Sequence, residues 1–216
     1  MCIRDRGHTV PVFFLDTFHP ENSERHLNLG LTLYGGDDWV RIRQEYLLGV
    51  GGVRLLEQMG YDVDGLHLNE GHCTFALLEM LGKGWSREEL AKRVLFTTHT
   101  PVPAGHDRFQ WGDVEEVLGE LMPKDAKQLV IDAGDSENGE RISMSHLAVA
   151  LSGPVNAVSN LNAWVASSMF ADHHIAPITN GVHHITWTSP AMSELFDTHL
   201  EGCLLYTSPS PRDTAI

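Results

Sequence analysis

Three short clusters hold most of the side chains with useful chemistry: Asn69-Glu70-Gly71-His72, Thr98-His99-Thr100-Pro101 and Asn180-Gly181-Val182-His183. Their groups are amide, imidazole and one carboxylate, which can donate to and accept from hydroxyls. That is the chemistry a sugar requires of its site. Each cluster follows an apolar run of strand character, at 63–68, 93–97 and 175–178. As parallel strands of one sheet, these runs would deliver all three clusters to its carboxyl edge, where ligands of open α/β sheets are bound. Pro101, Pro103 and Gly105 forbid continuation of the second strand, so His99 and His106 are expected where a ligand is met. The same prolines and glycine would also shape an ordinary surface loop with solvated histidines. Repetition of the design at three strand ends favours a site.

Two rival chemistries fit less well. His67-Leu68-Asn69-Glu70-Gly71-His72 approaches a zinc pattern of the H-x-x-E-H kind but carries an extra glycine, and histidines five apart do not share a helix face. Cys73 follows His72 directly, yet adjacent residues in regular structure point apart, and no neighbour stands out as an orienting group for a thiolate. Neither a metal site nor a catalytic residue is assigned.

The elements that must position the clusters alternate between strand and helix. A first strand is expected at 10–15. A long helix is expected at 37–59, opened by Asp37 and Asp38 and closed by Gly60. Gly49, Gly51 and Gly52 weaken its middle, which implies close packing against that face. A phosphate-cradling loop there is disfavoured, because Arg54 stands where G-x-G-x-x-G needs its third glycine. Further helices are expected at 75–81, at 87–92 behind a Ser86/Glu89 capping box, at 113–121, 142–151 and 161–169, with another strand at 155–158. The stretch 123–139 reads as loop-rich. Repeated β-α units imply an α/β fold with a mostly parallel sheet and flanking helices.

Composition narrows the partners. A net charge of −14 over 216 residues argues against nucleic acid or an anionic membrane surface, and a neutral ligand fits better. No apolar run approaches a membrane span, and no signal peptide is evident. Residues 1–6 and 203–216 lack the periodicity of the interior and are expected to be foreign, disordered tails around a single unit at 7–202. Setting them aside leaves Cys73 alone, which fits a reducing cytoplasm.

Six motifs in order, Asp16-Thr17 with Pro20-Glu21-Asn22-Ser23, Leu33-Tyr34-Gly35-Gly36-Asp37, Arg43-Gln44-Glu45-Tyr46, His67-Leu68-Asn69-Glu70-Gly71-His72, Thr97-Thr98-His99-Thr100-Pro101 and Thr179-Asn180-Gly181-Val182, resemble the α-glucan (glycogen or starch) phosphorylases in their shorter bacterial form. The resemblance implies a two-lobed glycosyltransferase of the GT-B type, of which this chain supplies the later part of the N-terminal Rossmann-like domain. It implies phosphorolysis of terminal α-1,4-linked glucose by inorganic phosphate, giving glucose 1-phosphate with retained configuration and using pyridoxal phosphate. By the same resemblance, His99 and Asn180 bind the glucose 6-hydroxyl, and Asn69, Glu70 and His72 line the pocket.

The resemblance also implies a second domain that holds the cofactor lysine and the phosphate-binding basic residues, and nothing in this sequence replaces them. The glycine-rich loop expected before the first strand is missing too. The chain is therefore expected to carry half of a sugar site and no cofactor site, and to be inactive alone. Oligomerisation of a longer protein stays open. Two further readings remain at this point: a glycogen or starch synthase sharing the two-lobed fold but using a nucleotide sugar, and a non-catalytic carbohydrate-binding unit.

Overall fold

A computed structural model describes residues 2–5, 8–33, 35–119, 126–133, 140–181 and 187–200. In chain order its elements are β1 (Cys2–Asp5), β2 (His8–Pro11), α1 (Glu24–Leu27), α2 (Asp38–Tyr46), a π-helical turn (Leu47–Gly51), α3 (Gly52–Gln58), β3 (Leu66–Asn69), α4 (Phe75–Gly82), α5 (Arg87–Arg93) and β4 (Val94–Thr98). There follow β5 (Arg108–Gln110), α6 (Trp111–Leu118), α7 (Ala126–Ala133), β6 (Arg141–Ser143), α8 (Met144–Leu151), β7 (Val155–Ala157), α9 (Asn160–Met169), β8 (Ile175–Pro177) and α10 (Pro190–His199).

The central sheet has the order β3-β4-β7-β8, with every pairing parallel. It is built from short, buried, mostly apolar strands: Leu68, Val94, Phe96, Val155, Ala157 and Ile175 are all in the core. Such strands form the interior of an α/β layer because helices must cover both faces. Helices α4 and α8 are buried almost all round, from Phe75 to Met80 and at Met144, Leu147, Ala148, Val149 and Leu151. The chain is α/β with a mostly parallel sheet and flanking helices, as its sequence implies.

Local signals place the elements well. Ser86 and Glu89 make the full capping box at the start of α5. Asp37 Oδ1 caps α2 by accepting from the Val40 N–H at 3.0 Å. The long expected helix is continuous from 38 to 58 but widens into the π turn at its middle. Gly49 explains the close approach expected there: a Cβ on it would lie 2.6 Å from the Ala76 backbone nitrogen. Gly52 has open space, so only part of the glycine cluster serves packing.

Three features differ from expectation. In place of the strand expected at 10–15 stands β2 at His8–Pro11, which pairs antiparallel with Cys2–Asp5, a stretch set outside the fold on composition. Phe13 and Phe14 beyond it are exposed instead of buried in a strand. The stretch 123–139 contains α7, whose Val130 is buried and whose Leu129 packs on the core, so its polar residues mask an amphipathic helix. A short antiparallel pair, β5 with β6, was also not foreseen. The tail expected at 203–216 lies outside the described residues. Among the described residues, no helix is long and apolar enough to cross a membrane.

Candidate functional site

Because β3 and β4 are adjacent and parallel, the turns that follow them meet at one edge. Glu70, the first residue after β3, has φ +69°, unusual for a residue with a side chain. Its own N–H stays in the ladder, donating to the Thr97 carbonyl at 2.9 Å. The twist sends its carboxylate across to the next loop. There Oε1 accepts from the His99 N–H, from the Thr100 N–H at 2.8 Å and from the Thr100 hydroxyl at 3.1 Å. The carboxylate thus fixes the backbone of the Thr98-His99-Thr100 loop, which leaves the exposed His99 imidazole free to meet a ligand. Gly71 is required beside it, since a Cβ would lie 2.7 Å from the Ser145 hydroxyl oxygen of α8.

A cavity of about 550 Å³ opens at this edge, lined by Asn69, Glu70, His72, His99 and Thr100, with Arg41 and Asp107 also on its wall. Four of the five expected site residues therefore share one cavity. Asn180 is on the same edge, exposed after β8, with its N–H donating to the Val158 carbonyl at 3.0 Å. It does not line that cavity, because β7 lies between β4 and β8. Val182 and His183 lie outside the described residues.

His106 is a correction. The short helical turn Pro103–Gly105 carries it inward, where it is buried, exchanges a 2.7 Å hydrogen bond between Nδ1 and the Ser145 hydroxyl, and meets the Phe170 ring edge-on. Burial holds its pKa below the ordinary histidine value, so it packs as a neutral ring rather than meeting a ligand. His67 is likewise structural: its Nε2 is 2.7 Å from the Thr97 hydroxyl, which donates to Asn156 Oδ1 at 2.7 Å. Burial pushes the Cys73 thiol up to about 11, which keeps it protonated near neutral pH.

One part of the site was not foreseen. Arg41 and Glu45, one turn apart on α2, meet His72 and Asp107 at the cavity wall. Arg41 Nη2 lies 2.6 Å from Asp107 Oδ2 and 3.3 Å from Glu45 Oε1, and His72 Nδ1 lies 3.3 Å from Asp107 Oδ2. Glu45 is 1% exposed, and its Oε2 has no hydrogen-bond partner among the described residues. Desolvation pushes Glu45 up to about 8, against the pull of His72. Hydrogen bonds to Asp107 and Glu45 push His72 up to about 9. Burial works to raise Asp107, but His72, Glu45 and Arg41 overrule it and hold its carboxyl well below the usual carboxylate range. Ligand-type atoms of Glu45, His72 and Asp107 lie within 4.8 Å of one another, the spacing of a cation site. With the Arg41 guanidinium already 2.6 Å from Asp107, the cluster reads instead as an ion-pair network tying α2, the turn after β3 and the loop after β4 together.

The network sets a pH dependence. His72, with a folded value of about 9 above its ordinary 6.5, adds stability that is complete below pH 6.5 and is lost as pH rises through 9. Glu45 keeps its proton up to about 8 in the fold but loses it near 4.5 when unfolded, so stability also falls as pH rises across that window. Asp107 acts at the other end: its contribution is present above its ordinary 3.8 and is lost as pH falls below that. Melting followed by calorimetry should therefore show a decline from pH 6.5 to 9 that becomes shallower in His72→Gln. Parallel pH profiles for parent and variant would show that His72 is not held this way.

The arrangement defines a class: a parallel α/β sheet of the Rossmann-like kind, consistent with one lobe of a GT-B glycosyltransferase, with its candidate ligand site at the carboxyl edge. No family model matches the chain. It is 35% identical over 210 residues to a maltodextrin phosphorylase of Thermococcus litoralis, covering 88% of this chain and 25% of that protein. Glycogen phosphorylases of Aquifex aeolicus and Mycobacterium tuberculosis are 32% and 31% identical, over 88% and 86% of this chain and 30% and 25% of theirs. The chain is thus a homologue of one part of the α-glucan phosphorylases, spanning a quarter to a third of the relatives it matches.

Proposed function

We propose that this chain supplies part of the sugar site of an α-glucan phosphorylase, an enzyme that transfers the terminal α-1,4-linked glucosyl unit of a glucan to inorganic phosphate. The observation that carries this reading is the convergence of Asn69, Glu70, His72 and His99 on one cavity, in a chain whose relatives are named for maltodextrin and glycogen phosphorolysis. In that reading His99 and Asn180 exchange hydrogen bonds with the terminal glucose, Asn69 and His72 line its pocket, and Glu70 holds the His99 loop. The reaction breaks the bond between glucose C1 and the glucan O4, forms one from C1 to a phosphate oxygen, and delivers a proton to O4. A soluble cytoplasmic setting suits this substrate.

Pyridoxal phosphate, which the resemblance implies, has no fitting partner among the described side chains. A cofactor imine needs a lysine that gives up its proton readily. Lys83 is instead held protonated by Glu57 at 2.5 Å, which raises its pKa, and Lys92 is exposed on α5 at the opposite end of β4. We place the cofactor in the second domain that the resemblance implies.

A chimaera tests the reading: residues 8–200 replace the matching stretch of the Thermococcus litoralis maltodextrin phosphorylase. The folded chimaera is expected to release glucose 1-phosphate from maltodextrin only when phosphate is added. A folded chimaera that instead elongates glucan from a nucleotide sugar, or that binds glucan with no phosphate-dependent release, would contradict it.

A further inference from the structure

The ladder between β4 and β7 ends where Thr98 pairs with Ala157, and beyond it the two chains part. Asn162 fills the gap. It lies in the first turn of α9, where its backbone N–H donates to the capping Ser159 hydroxyl at 3.1 Å, and it is 8% exposed. Its carboxamide replaces the missing rungs. Nδ2 donates to the His99 carbonyl at 3.2 Å, and Oδ1 accepts from the Val158 N–H at 3.3 Å. The Val158 carbonyl in turn accepts from the Asn180 N–H at 3.0 Å. Hydrogen bonds therefore run without a break from His99 through Asn162 and Val158 to Asn180.

That path crosses the strand separating β4 from β8. Neighbouring strands are about 4.8 Å apart, so the two backbones stand roughly 10 Å from each other, too far for a direct bond and suitable for enclosing a ligand group between their side chains. His99 is held on both polar atoms of its backbone, its N–H by Glu70 and its carbonyl by Asn162.

We propose that Asn162 is a positioning residue of the sugar site, its carboxamide setting the separation of His99 and Asn180. The proposal rests on the reading of those two residues as sugar ligands. The role needs a side chain that gives a hydrogen to a carbonyl and takes one from an N–H, as this carboxamide does; aspartate can do the second alone and leucine neither. The helix cap uses the Asn162 backbone, so substitution of the side chain leaves it in place.

The test uses the ¹⁵N-labelled 216-residue chain, with Asn162→Leu and Asn162→Asp. Amide hydrogen exchange is followed at Val158, with Phe96, whose N–H donates to the Pro154 carbonyl at 3.1 Å, as the unmoved control. Resonances of His99 and Asn180 are followed in the same samples, without and then with maltotriose. In Asn162→Leu, Val158 exchange should quicken roughly five- to tenfold, and the His99 and Asn180 signals should move. In Asn162→Asp, Val158 should stay protected while His99 still moves, a split that general loss of stability cannot produce. Half-saturation by maltotriose should rise roughly tenfold in both. Unchanged His99 and Asn180 signals in both variants, or Phe96 exchange rising in step with Val158, would overturn the proposal. A folded chimaera that releases no glucose 1-phosphate from maltodextrin would sink the sugar reading instead, with the exchange pattern still deciding whether Asn162 sets the geometry of this edge.

Discussion

Replacing Arg41 with alanine is expected to destabilise the protein by about 3 to 5 kcal/mol, the cost of stripping one partner from a buried charge network. The side chain is 14% exposed and its Nη2 lies 2.6 Å from Asp107, so removal leaves the Asp107 carboxylate to the His72 ring at 3.3 Å, beside Glu45, itself 1% exposed. For a chain of this size, each kcal/mol lowers the melting temperature by about 2 to 4 °C. The double variant Arg41→Ala/Asp107→Asn should recover part of the loss, because it removes the carboxylate that has lost its guanidinium. Arg41→Lys should fall between, since an ammonium cannot reach both carboxylates with a planar fork. Urea unfolding of the parent, Arg41→Ala, Asp107→Asn and the double variant closes the cycle. A single-variant loss within about 0.5 kcal/mol of parent, the range of an ordinary surface change, would show that the network carries no weight.

The network also shows where sequence reasoning stops. Arg41 and Glu45 form an i,i+4 pair that is visible on a helix. Nothing local says that this pair is buried, or that His72 and Asp107 complete it from 31 and 66 positions away. Glu70 was legible as part of a site because it follows a strand, but its task, bonding to the next loop, depends on a backbone with φ +69° that spacing cannot reveal. His99 and His106 looked equivalent, on either side of the same prolines. The turn Pro103–Gly105 separates them, sending one to solvent and the other against Phe170.

The parallel sheet was the most legible feature, since each strand is a short apolar run closed by turn-forming residues and helices such as α2, α5 and α9 open on a capping side chain. Strand ends shifted by a few residues, because pairing stops where the facing chain stops rather than where the apolar run does. Helix α7 was missed because its inward stripe is short, with Val130 the one residue shown to be fully buried. Asn162 carried no signal at all. An asparagine in the first turn of a helix is commonplace, and only the parting of β4 and β7 gives its side chain a purpose.

The role given to His99 leads to the second large effect. Its backbone is fixed by Glu70 and Asn162, while its imidazole is exposed at the cavity. Removing the ring should therefore leave folding nearly intact and act on the ligand. Loss of one hydrogen bond to a desolvated hydroxyl costs about 1 to 3 kcal/mol, which corresponds to roughly 5- to 200-fold in kcat/KM. The loss should belong to one hydroxyl of one sugar. The decisive measurement is kcat/KM for phosphorolysis by the full-length chimaera and its His99→Ala variant, each on maltodextrin and on maltodextrin whose terminal glucose lacks the 6-hydroxyl. A loss of roughly 5- to 200-fold on the first substrate and almost none on the second is the predicted result; equal losses on both, accompanied by a lower melting temperature, would contradict the assignment of this edge to the terminal glucose.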